Sequence, residues 1–136
     1  MNKIEFSNQV NHVSTMLVVI DIDRAVDFYR SMFGFEVRRY EKGIIALVQF
    51  KNLQLYFIPA SPPTNDKPDI DLVHLNSIGK TSASIVFNVS DCEDVYNQLL
   101  DKGLKFQTPP QIPLWGGKRC FAIDPDGYLI EIEQDT

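Results

Sequence analysis

Apolar residues along this chain follow a strand rhythm, then a helical one, then strand rhythms again, and the whole order occurs twice. Met16 to Ile20 is a continuous apolar run with two adjacent valines. It predicts a strand starting near His12 or Val13 and buried on both faces. Asp21 follows as a helix N-cap, with Asp23 in the first turn, where unpaired N–H groups favour an acid. Ile22, Ala25, Val26, Phe28, Tyr29, Met32 and Phe33 form a broad apolar stripe at helical spacing, and Gly34 stops it. Phe35–Tyr40, Ile44–Phe50 and Leu53–Ile58 read as strands separated by turns at Lys42-Gly43 and Lys51-Asn52. Residues 1–9 are mostly polar and read as a loose lead-in.

Between Pro59 and Thr81 the composition changes. Four prolines (59, 62, 63 and 68) stand among Ser, Thr, Asn and Asp, which predicts a long linker or a flap over a site. Ile70 to Leu75 reads as a short extended piece within it. The first pattern then returns. Ser84 to Val89 is a strand, and Ser90-Asp91-Cys92-Glu93 has the form of a capping box. Cys92, Val95, Tyr96 and Leu99 make a helical stripe ended by Lys102 and Gly103. Leu104–Phe106 begins a strand that Pro109, Pro110 and Pro113 interrupt. Asp21 and Asp91 cap equivalent helices 70 positions apart, and Gly34 and Gly103 end them 69 apart. Each half is strand, helix and three strands, two copies of one unit that cannot close a core alone.

The second copy ends in a hairpin. Arg119–Ile123 and Tyr128–Glu133 flank Asp124-Pro125-Asp126-Gly127. Pro125 fixes its own φ, and Gly127 accepts a positive one, so the chain reverses there with little strain. Leu129, Glu131 and Glu133 share one face of the returning strand. An acid in the middle of an apolar strand points either to water or into a cavity where it binds something.

Bulk properties narrow the choice. The 136 residues suit one domain of two fused halves, and a hydrophobic content of 44% is ample for a core. A net charge of −5 argues against nucleic acid and mildly favours cationic ligands. Cys92 and Cys120 make no framework and read as small buried apolar residues in a reducing compartment. No apolar run is long enough for a membrane span, and the first residues lack a signal-peptide core, so a cytoplasmic protein is expected.

Asp21-Ile-Asp-Arg-Ala-Val-Asp-Phe28-Tyr29, Gly34-Phe35-Glu36-Val37, Trp115-Gly116 and Phe121-x-x-Asp124-Pro125-Asp126-Gly127-x-x-x-Glu131, taken in that order, resemble the vicinal oxygen chelate superfamily. That group contains glyoxalase I, extradiol dioxygenases, and the fosfomycin and bleomycin resistance proteins. The resemblance implies a single α+β domain over 1–136. Two βαβββ modules, 12–58 and 82–134, joined through 59–81, would form a curved eight-stranded mixed sheet around a cleft. It also implies a homodimer, often with one module of each subunit completing a shared barrel.

Enzymes of that superfamily hold a divalent metal in the cleft, with ligands from the first and last strand of each half. Carried over, those positions fall on Ser14, Tyr56, Ser84 and Glu131, of which only Glu131 has a ligand's chemistry. No cofactor is therefore expected. The metal alternative uses a triad of His12, His74 and Glu131. Ser14, Tyr56, Ser84, Trp115 and Glu131 are the expected lining of a ligand cleft, with Trp115 as a stacking wall or a plug. The preferred function is metal-free binding and sequestration of a small organic molecule. The alternative is a metal-dependent lyase, isomerase or dioxygenase, in which Glu131 would move a proton.

Overall fold

A computed structural model describes residues 3–75 and 79–136. Residues 76–78, inside the expected 59–81 flap, and residues 1–2 lie outside the described residues. The first module is β1 (Thr15–Val18), α2 (Ile22–Phe33), β2 (Glu36–Glu41), β3 (Ile45–Phe50) and β4 (Leu53–Ile58), preceded by a single helical turn, α1 (Phe6–Gln9), where a loose lead-in was expected. The second is β5 (Ser84–Asn88), α3 (Cys92–Asp101), β6 (Lys118–Ile123) and β7 (Leu129–Gln134). The sheets have the orders β1-β4-β3-β2 and β5-β7-β6. In each, the first strand runs parallel to the last and the others are antiparallel.

The eighth strand does not form. The chain after Leu104 touches β6 only at the bridges Phe106↔Ala122 and Gln111↔Arg119. Pro109, Pro110 and Pro113 carry no N–H to extend a ladder. β1 also differs from expectation. It starts at Thr15, leaving His12 and Val13 exposed, and Met16 and Ile20 are exposed too. The apolar run overstated burial because β1 is an edge strand with one open face. At the second helix, Asp91 is the N-cap and accepts from the Asp94 N–H at 3.0 Å, so Ser90 lies one position too early to cap.

The pleat sorts each sheet into two faces. Leu17, Val19, Ala46, Val48, Leu55 and Phe57 meet Ile22, Ala25, Val26 and Tyr29 of α2. Cys120, Ala122, Ile130 and Ile132 meet Cys92 and Leu99 of α3. Burial pushes the Cys120 thiol up to about 12, and its sulfur lies 3.9 Å from that of Cys92. Phe28, Phe33 and Phe87 pack against both clusters, with Phe33 and Phe87 stacked at 4.7 Å. The helix-facing sides of the two sheets therefore share one interior, and the opposite sides face outward.

The Asp124–Gly127 turn fastens the modules together. Asp124 Oδ1 accepts the Asp126 and Tyr128 N–H groups, both at 2.9 Å, and Oδ2 accepts the Tyr29 hydroxyl of α2 at 2.7 Å. Asp126 Oδ1 accepts from the Ile20 N–H at 2.8 Å and from Arg24 Nη2 at 3.3 Å. The Tyr128 hydroxyl donates to the Val18 carbonyl at 2.7 Å. A turn that the sequence marks only as a reversal is thus also the joint between the halves. In the 59–75 segment, Lys67 Nζ donates to the carbonyls of Pro62 (2.6 Å), Ile70 (3.3 Å) and Ser61 (3.4 Å), gathering that loop upon itself.

Candidate ligand-binding site

With Ile130 and Ile132 in the core, Leu129, Glu131 and Glu133 emerge on the outward face of the second sheet. The register places Phe121 opposite Glu131, Arg119 opposite Glu133 and Ile123 opposite Leu129. On the other side of β7, Ser84 pairs with Leu129 and Val86 with Glu131. Alternation of this kind needs no tertiary contact to specify it, since the strand period alone fixes which side chains share a face.

Arg119 is fixed on that face through its backbone and packs its guanidinium against two rings. Its backbone N–H and carbonyl both bond to Gln111 at 2.9 Å. Its guanidinium carbon lies 4.8 Å from the Trp115 ring centre and 5.0 Å from that of Phe121. Each such contact is worth about 0.5–2 kcal/mol, depending on desolvation. Trp115 comes from the loop before β6 and is 72% exposed, which makes it a wall of the open face and not a buried plug.

Arg119 lines two cavities. One, of about 560 Å³, has a floor of Phe121, Ile123 and Leu129 and a polar edge of Thr81, Gln107 and Gln111. The other, of about 220 Å³, is lined by Trp115, Lys118, Glu131 and Glu133. Glu131 is half-buried within it. Burial, then the neighbouring charge of Glu133, raise its carboxyl above the usual range, while Arg119 opposes them. A further cavity of about 590 Å³ runs along the seam between modules, past Phe33, Phe50 and Phe87, and none of Glu131, Trp115 or Arg119 lines it.

The structure brings Ser84, Trp115 and Glu131 to one face of one sheet, whereas Ser14 and Tyr56 sit on the outward face of the other. Ser14 donates to Gln54 Oε1 at 2.9 Å. Tyr56 pairs with Met16 and Leu47. The expected five are thus divided between the outward faces of two separate sheets. The triad does not assemble either. His12 is exposed in the segment before β1, and His74 Nε2 lies 3.1 Å from Asp126 Oδ1 at the inter-module joint. Arg119 and Phe121, which line the larger cavity, were not among the expected residues, although their two-residue spacing was visible in the sequence.

The sequence over residues 9–132 matches the family described as the Glyoxalase/Bleomycin resistance protein/Dioxygenase superfamily. The chain belongs to that superfamily. Solved structures show the same glyoxalase/bleomycin resistance fold. A glyoxalase/bleomycin resistance protein/dioxygenase from Nocardioides superposes with a TM-score of 0.73 at 19% identity, covering 95% of this chain and 89% of that one. Lactoylglutathione lyase from Agrobacterium tumefaciens gives 0.70 at 17% identity, covering 92% and 94%. A bleomycin resistance determinant encoded on the transposon Tn5 gives 0.64 at 23%, covering 93% and 98%. No curated protein matches the sequence.

The metal implied for glyoxalase-like enzymes does not suit the residues this superfamily member places at the ligand positions. Two serine hydroxyls, one already donating to Gln54, and a phenol accompany a single carboxylate. Neutral hydroxyls are weak ligands for the divalent metals concerned. Among the described residues no three His, Cys, Asp or Glu side chains gather closely enough to hold an ion.

Proposed function

We propose that this glyoxalase/bleomycin resistance-like protein binds and sequesters a small organic molecule on the outward face of its second sheet, without a metal. The observation that carries the reading is the cavity of about 560 Å³ floored by Phe121, Ile123 and Leu129 beside the ring-clasped Arg119. A concave apolar surface with a few aimed polar groups is what small-molecule recognition requires. A thermal-shift screen of aromatic acids, amides and amines alongside Zn²⁺, Ni²⁺ and Mn²⁺ tests it. Saturable stabilisation by an organic compound is expected, about 2.7 kcal/mol at one hundred times its Kd. Stabilisation by metals alone would refute it.

A homodimer is part of this reading. The outward faces expose Met16 (51%), Val86 (49%) and Trp115 (72%), apolar area that a second copy would cover while bringing one subunit's Ser14 and Tyr56 opposite the other's Ser84 and Glu131. Sedimentation velocity is expected to give twice the 15.5 kDa chain mass at micromolar concentration. A single species of one chain mass would exclude the shared cleft. No helix among the described residues is long and apolar enough to cross a membrane.

A further inference from the structure

We propose that Arg119 is the anchor for a carboxylate, so that the molecule held on the second sheet is an organic acid with an apolar body. The inference rests on the binding reading above and adds the ligand's class. A guanidinium presents two flat faces and an edge of N–H donors. Here the guanidinium carbon lies over both the Trp115 and Phe121 rings, at 4.8 and 5.0 Å. The edge is unspent. Among the described residues Arg119 makes neither an ion pair nor a side-chain hydrogen bond, although Glu133 stands directly across the ladder and Glu131 is close enough to feel its charge.

The two rings lie against the cation, and its backbone is doubly bonded to Gln111. A half-buried cation kept in place with idle donors is prepared for a planar oxyanion, which it can accept edge to edge through paired N–H···O bonds. The direction of approach follows from charge. Glu131 and Glu133 line the smaller cavity and would repel an anion. Arg119 is the only charged residue lining the larger one among the described residues, and Phe121, Ile123 and Leu129 there would take the apolar body. The negative net charge of the chain therefore does not set the sign of the ligand at this point.

Trp115 is the only tryptophan and touches Arg119, so its fluorescence reports occupancy directly. The probes are 3-phenylpropionate, its amide and 3-phenylpropylamine, which share one apolar body and differ in charge. The acid is expected to bind about tenfold or more tightly than the amide, and the amine most weakly. Arg119→Met should lower acid affinity to that of the amide on the same variant, and Arg119→Lys should keep part of the preference. Circular dichroism and the amide titration verify that each variant retains its fold and cavity. Equal affinity for acid and amide, tighter binding of the amine, or an acid preference that survives Arg119→Met would overturn the carboxylate assignment and leave the binding reading standing. Absence of saturable binding by all three probes, with no organic hit in the thermal screen, would end both.

Discussion

Replacing Asp124 by alanine is expected to cost roughly 3 kcal/mol, a fall in Tm of about 10 °C for a chain of this size. Asp124 is 4% exposed and accepts three hydrogen bonds. Alanine would strand the Tyr29 hydroxyl, in a residue with no exposed surface, together with two turn N–H groups. Buried donors left without acceptors lose their hydration with nothing in return. An asparagine side chain retains an acceptor, so Asp124→Asn should cost only about 1–2 kcal/mol.

The asparagine variant also carries a pH signature. Burial raises the Asp124 carboxyl above its ordinary 3.8, outweighing the donors that favour its charge. The folded protein therefore holds the proton more tightly than the unfolded chain between the ordinary and the raised value. Stability due to this group is greatest below 3.8 and declines as pH rises through that window. The deficit of Asp124→Asn relative to the native protein should shrink as pH rises above 3.8. Urea unfolding at several pH values measures both effects. A Tm change under about 2–3 °C for alanine would mean that the turn does not join the modules.

Gly117→Ala is expected to cost about 3 kcal/mol or to detach the Trp115 loop from the sheet. Gly117 has φ +73°, and an added Cβ would overlap the Gln134 carbonyl oxygen and lie 3.4 Å from its carbon. Those are backbone atoms at the end of β7, with no flexible side chain to move aside. Gly127 provides the control. Its φ is +90° but open space surrounds it, so alanine there should cost only about 1 kcal/mol of backbone strain. Because Gly117 sits between Trp115 and Arg119, the first substitution should also shift Trp115 emission and weaken ligand binding, whereas Gly127 lines the larger cavity and serves as a control for stability alone. Equal stability losses at the two glycines would show that the loop is not seated on the last strand.

Much of this was legible in the sequence, for identifiable reasons. Helical stripes closed by Gly34 and Gly103, caps at Asp21 and Asp91, and the Asp-Pro-Asp-Gly reversal are local rules that act within a few residues. That Leu129, Glu131 and Glu133 share one face followed from the strand period once the reversal was fixed, but which face it is did not. What was missed depends on neighbours distant in sequence. The failed eighth strand turned on three prolines beside an otherwise apolar start. His74 went to Asp126, 52 positions away, because the joint between modules cannot be read from either module alone. In the sequence nothing marks Arg119 beyond its place at the start of a strand, two residues before Phe121. Its actual partners are two rings, one contributed by an irregular loop whose course no periodicity describes.

The placement of Tyr29 and Arg24 in the first module, and of their acceptors Asp124 and Asp126 in the second, constrains how such proteins can be recombined. A chimera that takes its N-terminal half from this chain and its C-terminal half from a relative must inherit matching donors and acceptors at that seam. An exchange that keeps the tyrosine but loses the aspartate would carry the stability loss expected of Asp124→Ala even if each half folded well.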